Sequence, residues 1–218
     1  MAPPQFPFRV TAMPRTGTTN LRERKKQLTR EAIAEAALAL AVEHGLANVT
    51  VEEIARLAFV SPRTVSNYFS CKEEAVATAG CQDLPDLAED LAARPAGEPP
   101  ADALRAVLLA YVGSRTPEQL RLEVHKLAVE REHPALRPFW VAQYDDLEAS
   151  LRAAIAERTG TDPDVDVFPW LAAATAASAL SASVRIWARP EANRQALPDL
   201  VAAAFDEVAA GLRGPVRA

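Results

Sequence analysis

Apolar residues recur at helical spacing through most of this chain. Leu28, Ala32, Ile33, Ala36, Ala37 and Leu40 define one face of a helix over residues 21–44, and Gly45 behind His44 supplies a stop. Val51, Ile54, Ala55, Leu57 and Ala58 continue as a second helix. Its start is marked by Thr50 and Glu53, which fit a capping box in which each side chain satisfies a backbone N–H of the other. Ser61-Pro62 then restarts the pattern, with serine as N-cap and proline in the first turn, and predicts a third helix over 62–69. On a wheel of about 100° per residue, Val65 and Phe69 gather beside Pro62, while Arg63, Thr64, Ser66 and Asn67 occupy the opposite arc. Two short helices joined by a tight turn, the second with a polar outer face, describe a helix-turn-helix.

After Lys72 the pattern predicts a helix to about Ala92, bent near Pro85, and ARPAGEPPA (93–101) breaks it. Further helices are expected at 101–114, 117–131, 135–160, 166–188 and 198–212, with Pro117, Pro134, Pro163 and the stretch from Pro190 to Pro198 at the joints. The expected fold class is all-α. Abundant alanine, the best helix former, and scarce β-branched runs point the same way.

Composition adds a direction to this picture. The chain has 218 residues, 49% hydrophobic, enough for one large domain or two small ones. The net charge of −5 is unevenly spread. Residues 15–72 hold nine Lys/Arg against six Asp/Glu, whereas residues 73–218 hold fourteen against twenty-three. A basic N-terminal part joined to an acidic remainder suggests nucleic-acid contact at the basic end.

Cys71 and Cys81 lie ten apart, and with His44, His125 and His133 they make no metal-ligand spacing, so reduced thiols, no metal and no cofactor are expected. Eight glycines form no phosphate-cradling loop, and no nucleophile–base arrangement stands out, which argues against an enzyme. The first 20 residues, rich in Pro and Thr, are read as a flexible arm without a signal-peptide core, and Met13 is an alternative start. The segment 167–188 is Ala/Ser-rich, but Arg185 and its serines argue against a membrane span, and the protein is expected in the cytoplasm.

Residues 28–76 closely resemble the N-terminal domain of TetR-family transcriptional regulators. The family pattern appears as Gly45, then Thr50-Val51-Glu52-Glu53-Ile54-Ala55, then Val60-Ser61-Pro62-Arg63-Thr64, then Tyr68-Phe69-Ser70-Cys71-Lys72-Glu73. The resemblance implies a homodimeric, ligand-responsive repressor of a palindromic operator, with residues 21–71 as the DNA-binding domain and 72–218 as the ligand-binding and dimerisation domain. Carried over position by position, Thr50, Arg63, Thr64, Asn67, Tyr68 and Lys72 would contact DNA, with Ser66 on the same face. Arg63 and Asn67 suit base edges; Thr50, Thr64, Tyr68 and Lys72 suit phosphates. A basic arm (Arg15, Arg22, Arg24, Lys25 and Lys26) would add salt-sensitive affinity.

Two departures from the family pattern stand out. Ser66 replaces a usual aromatic, which removes a phosphate contact. Phe59 replaces a usual turn glycine, so the turn either avoids positive φ or is strained.

In the C-terminal part, Tyr111, Arg121, His125, Phe139, Trp140, Tyr144 and Trp170 are candidates for a pocket between helices that takes a small, largely apolar or amphipathic effector. A large aromatic on an alanine-rich helix is more often core than ligand contact, so for each single residue the core reading is favoured. The S-P-R-T-x-x-N-Y-F form of the motif also resembles a subgroup thought to sense acyl-CoA-like ligands, while the acidity of this part argues against a polyphosphate ligand unless Arg121, Lys126 and Arg131 line an entrance. The small-residue helix near 167–188 and the last helix, near 198–212, suit a four-helix dimer interface; the alternative is an intramolecular core helix. The competing functions are a helix-turn-helix protein without ligand response, in an interaction or architectural role, and an enzyme with an unrecognised site.

Overall fold

The computed structural model describes residues 19–80, 86–189 and 195–213. The expectations for the arm before Thr19, for Cys81, for a bend at Pro85 and for the joint at 190–194 lie outside them. Among the described residues the chain forms ten α-helices and no strand. They are α1 (Thr19–His44), α2 (Val51–Leu57), α3 (Pro62–Tyr68), α4 (Lys72–Thr78), α5 (Asp86–Ala92), α6 (Pro100–Gly113), α7 (Pro117–Glu132), α8 (Arg137–Thr159), α9 (Val167–Trp187) and α10 (Leu197–Ala209).

The boundaries follow from local chemistry. Gly45, at φ 77°, ends α1, because the left-handed region is open to glycine at little cost. Thr50 and Glu53 form the expected reciprocal capping box at α2. A second capping box, Thr116 with Gln119, opens α7, and proline occupies the first turn of α3, α6, α7, α8 and α10.

Three expectations need correction. The helix after Lys72 does not run to Ala92: α4 ends at Thr78, followed by Gly80 at φ 74°. Arg22, Arg24, Lys25 and Lys26 are not on a flexible arm but on the first turns of α1. The segment 167–187 does pass for a membrane span by length and composition, but in the fold α9 packs against α6, α8 and α10 and buries Ala173, Ala176, Ala177, Leu180 and Ser183.

Two apolar cores divide the chain. The first joins α1–α4 with Leu127 and Val129 of α7, Leu136, and Trp140 of α8. The second joins α5, α6, α8, α9 and α10 around Leu91, Leu108, Leu151, Ile155 and Val201. α4 packs on both α1 and α8, so it links the N-terminal helices to the bundle. Arg158 of α8 ties down the α5–α6 connection by donating to the carbonyls of Arg94, Pro95 and Glu98.

Candidate nucleic-acid interface and effector cavity

α3 is held at both ends. Ser61 accepts the N–H of Thr64 at 3.0 Å and shares a 2.8 Å hydrogen bond with its hydroxyl. At the other end Arg30 of α1 donates to the Tyr68 carbonyl at 2.8 Å, stacks over the Phe69 ring at 4.3 Å and approaches Glu74 at 3.6 Å. Glu74 in turn accepts the N–H and hydroxyl of Ser70. Val65 and Phe69 are buried against the first core. The helix therefore has little freedom to rotate, and its outer face is presented in one orientation.

On that face Arg63, Ser66 and Asn67 are exposed. Ser66 donates back to the Pro62 carbonyl at 3.3 Å. Arg63 and Asn67 make no side-chain hydrogen bond or ion pair among the described residues, so a guanidinium fork and an amide point into solvent with their donors and acceptors unused. Thr64 and Tyr68 are half-buried, and Thr64 spends its hydroxyl on the cap.

Thr50 likewise has its hydroxyl engaged, donating to Glu53 at 2.8 Å. That hydroxyl and the Thr50 backbone N–H hold the Glu53 carboxyl below its ordinary range. Lys72 donates to the carbonyls of Ala47 and Val49 at 3.2 and 2.9 Å, which leaves one ammonium N–H for an outside acceptor. Lys25 stands with Arg22, Lys26, Thr29 and Tyr68 around an open groove of about 420 Å³, while Arg24 is exposed outside it.

Phe59 sits in the turn between α2 and α3 at φ 55° and is 95% exposed. The turn does not avoid the left-handed region. A bulky residue there is strained by about 1 kcal/mol or more, and its ring gains nothing by burial.

The second site is a cavity of about 50 Å³ between α6, α7, α8, α9 and the start of α10, with Gly80 behind α4 at its edge. Of the seven residues expected to surround an effector, Tyr111, Trp140 and Tyr144 line it. The other four do not. Arg121 is exposed and pairs with Glu118 at 2.8 Å, His125 faces outward, and Phe139 packs on the first core. Trp170 is 48% exposed, stacked under Arg152 at 3.6 Å with its indole N–H on the Pro163 carbonyl. A wheel assigns residues to a face but does not say which faces meet, and these four are on faces turned away.

Sequence reasoning missed the polar part of the wall: Arg115, Glu123 and the backbone at Gly80, two residues beyond α4. Lys126, also in the wall, is only 3% exposed, pairs with Glu123 at 3.1 Å and lies 5.2 Å from the Trp140 ring. Burial pushes the Tyr144 phenol above its ordinary value and the charge of Glu123 adds to this; Ser181, Lys126 and Arg185 act the other way. Tyr144 therefore stays a neutral hydroxyl.

A rigidly capped polar helix beside a basic α1, followed by a helical bundle with a lined cavity, defines the class of helix-turn-helix regulators with an attached effector domain. Comparison with known proteins narrows the class. Residues 33–77 match the family described as bacterial regulatory proteins, tetR family, and residues 98–213 match the MftR C-terminal domain. The chain is 31% identical over 154 residues to the HTH-type transcriptional regulator TcmR of Streptomyces glaucescens, covering 68% of each chain. It is 28% identical over 192 residues to the putative mycofactocin biosynthesis transcriptional regulator MftR of Mycobacterium tuberculosis, covering 87% of this chain and 93% of that one.

Among solved structures, the fold is similar to Thermus thermophilus FadR, a TetR-family repressor in complex with lauroyl-CoA. The TM-score is 0.54 at 23% identity, over 86% of this chain and 97% of that one. SmeT, the repressor of a Stenotrophomonas maltophilia multidrug efflux pump, gives 0.55 at 21% identity, over 84% and 89%. The chain belongs to the TetR family of transcriptional regulators.

Proposed function

We propose that the protein is a ligand-responsive repressor that binds a palindromic operator as a homodimer and is released by a small amphipathic effector. Residues 21–71 act as the reading head and 72–218 as the effector and dimer part, and the protein works in the cytoplasm, where its DNA is. The observation that carries this reading is the outer face of α3: Arg63 and Asn67 are solvent-exposed and unpartnered among the described residues, on a helix locked by Ser61 at one end and Arg30 at the other. Arg63 suits guanine and Asn67 adenine in the major groove. Lys25, Arg24, Lys72 and Tyr68 supply phosphate contacts that set the register without reading sequence. Thr50 and Thr64 act mainly as caps and reach phosphate only by sharing their hydroxyls. Ser66, small and bonded to its own helix, leaves room at the groove floor.

The dimer forms through α9 and α10. α9 leaves Leu171, Ser178, Ala182 and Ile186 exposed at helical spacing, and α10 leaves Ala203 and Val208 exposed. Small side chains of this kind allow helices from two copies to approach closely, and a two-fold pair of heads matches a palindromic site.

Operator selection from random duplex DNA, run with wild type and with Arg63→Ala and Asn67→Ala, tests the reading. A palindromic motif that the two variants lose or relax is the expected result. Enrichment of no motif, with only salt-labile binding, would sink it.

One observation favours a second reading, a helix-turn-helix protein without ligand response: the cavity of about 50 Å³ holds a few waters and no drug-sized molecule. Operator affinity that no cavity-directed ligand changes would decide for it.

A further inference from the structure

The turn between α2 and α3 closes through its backbone alone. Val60 donates its N–H to the Ala55 carbonyl at 2.9 Å, and Phe59 donates to that of Arg56 at 3.3 Å. Such paired bonds end a helix on one left-handed residue. That residue is Phe59, at φ 55°. Glycine would make the same turn with less strain, so the backbone gains nothing from a ring there. Nor does the fold: the ring is 95% exposed, more than any other large apolar side chain among the described residues. A strained aromatic whose cost nothing inside the chain offsets points to a contact outside it.

Its surroundings say what kind. Two residues of chain span at most about 7 Å. Phe59 therefore stands beside Ser61, the N-cap of α3, and near Arg63 on the outer face. Arg56, on the last turn of α2, is exposed; it feels the charge of Glu53 but makes no side-chain hydrogen bond or ion pair among the described residues. Glu52 and Glu53 lie in the first turn of α2, at its other end. With Leu57, 48% exposed, the ring offers far less apolar surface than the roughly 800 Å² per partner of a stable protein interface. An apolar ring between two arginines suits a polyanion that also has apolar faces, which is what a deoxyribose–phosphate backbone is. In a helix-turn-helix the second helix puts its N-terminal residues on base edges while the first crosses the backbone. The turn between them lies where the chain passes from backbone to groove.

We infer that Phe59 and Arg56 form a further DNA contact on the strand bordering the major groove, with the ring packed on deoxyribose and the guanidinium on a neighbouring phosphate. The inference rests on α3 being the helix that enters the groove. Sugars and phosphates are alike in every sequence, so this contact adds affinity without specificity and pins the N-terminal end of α3 at the groove edge.

The test uses the full chain on its selected operator and on random duplex DNA. Anisotropy titrations over a salt series are paired with hydroxyl-radical footprinting, since that radical attacks deoxyribose. Phe59→Gly is expected to weaken binding to both duplexes by about tenfold, with the salt slope unchanged because a neutral ring releases no counterions. Phe59→Asn, which tolerates the left-handed region and keeps the turn stiff, should lose as much, whereas Phe59→Tyr should keep most of the affinity. Sugars protected at the flank of each half-site by the wild type become open in Phe59→Gly. Arg56→Gln lowers the salt slope by about one. Thermal melts of the free variants show that none of these losses is unfolding.

Full affinity in both Phe59→Gly and Phe59→Asn, or a footprint identical to that of the wild type, would overturn the inference and leave the role of α3 intact. A loss confined to duplexes with thymine at one position, and abolished by uracil there, would replace the sugar contact by a base contact. A loss seen only when two dimers share one duplex would assign the ring to a neighbouring copy. Losses at Phe59 beside full affinity and specificity in Arg63→Ala and Asn67→Ala would sink the reading of α3 and leave the turn contact standing. No binding to any duplex would sink both.

Discussion

The outer face of α3 and the wall of the cavity use the same residue types, an arginine near a tyrosine, in opposite ways. On α3, Arg63 stands in water without a partner among the described residues, and its helix is fixed by contacts on the other side. In the cavity, Lys126 is paired with Glu123 and Arg115 with Gly80. Water solvates an unpaired charge at no structural cost, so a reading surface can hold its donors ready. A buried charge without a partner costs several kcal/mol, so a cavity must satisfy its polar groups internally. Binding at the surface adds bonds, whereas binding in the cavity exchanges them. An exchange of bonds can move a helix, and this is the physical content of coupling between two sites.

The largest effect that would test this contrast is Lys126→Ala. Breaking a buried pair should destabilise the fold by about 3–5 kcal/mol, read as a shift in the denaturant midpoint. The double variant Lys126→Met with Glu123→Leu should recover most of that loss. If Lys126→Ala were as mild as a surface change, the wall would not be the paired interior described here.

Next come Arg63→Ala and Asn67→Ala. Each should cost about 1–3 kcal/mol of operator affinity and leave thermal stability unchanged. A fall in stability would mean that the face contributes to folding as well as to reading.

Phe59→Gly acts on the turn alone. It should stabilise the protein by about 1 kcal/mol, because glycine accepts φ 55° and the exposed ring is no loss. A loss of stability would mean that the phenylalanine holds the head together through some contact of its own.

A smaller, pH-dependent effect comes from Glu74. Partial burial raises its pKa, but the N–H and hydroxyl of Ser70 and the charge of Arg30 outweigh this, so its carboxyl titrates below the ordinary glutamate value of 4.5. A depressed carboxylate contributes stability above its unfolded pKa and loses it as pH falls through the folded one. Glu74→Gln should therefore flatten the decline in stability below about pH 4.5, with little change in that slope near neutrality. An unchanged acid limb would count against the brace between α4 and α3. The smallest effect is Arg121→Ala, whose exposed pair with Glu118 should change stability by less than about 0.5 kcal/mol.

Much of the N-terminal helix-turn-helix part was legible in the sequence because its signals are local. Thr50 with Glu53, Ser61 before Pro62, and Gly45 after His44 each act within a few residues, and each mark stands where expected. The face of α3 was legible too, since a seven-residue helix with Val65 on one side has little choice about the other. Phe59 was legible as a question, and the tertiary structure answered it. Arg30 was not legible: it lies 38 residues before Tyr68, and nothing in its neighbourhood marks it as the cap of α3.

The C-terminal bundle shows the limit. Its helices could be placed from periodicity and proline, apart from the early end of α4 at Gly80, where a tight approach to Leu122 requires the missing side chain. The cavity could not be placed, because its lining comes from the packing of five helices on one another. Tyr111, Trp140 and Tyr144 met there, while Arg121, His125, Phe139 and Trp170 did not. The sequence by itself determined an all-helical chain, most of its stops and starts, and the polar outer face of α3, since these depend on interactions within one or two turns. Only the tertiary structure decided which cations are buried, which partner each one holds, and that Arg115 joins the cavity to the backbone behind α4, since those contacts span long stretches of chain and arise from how the helices pack.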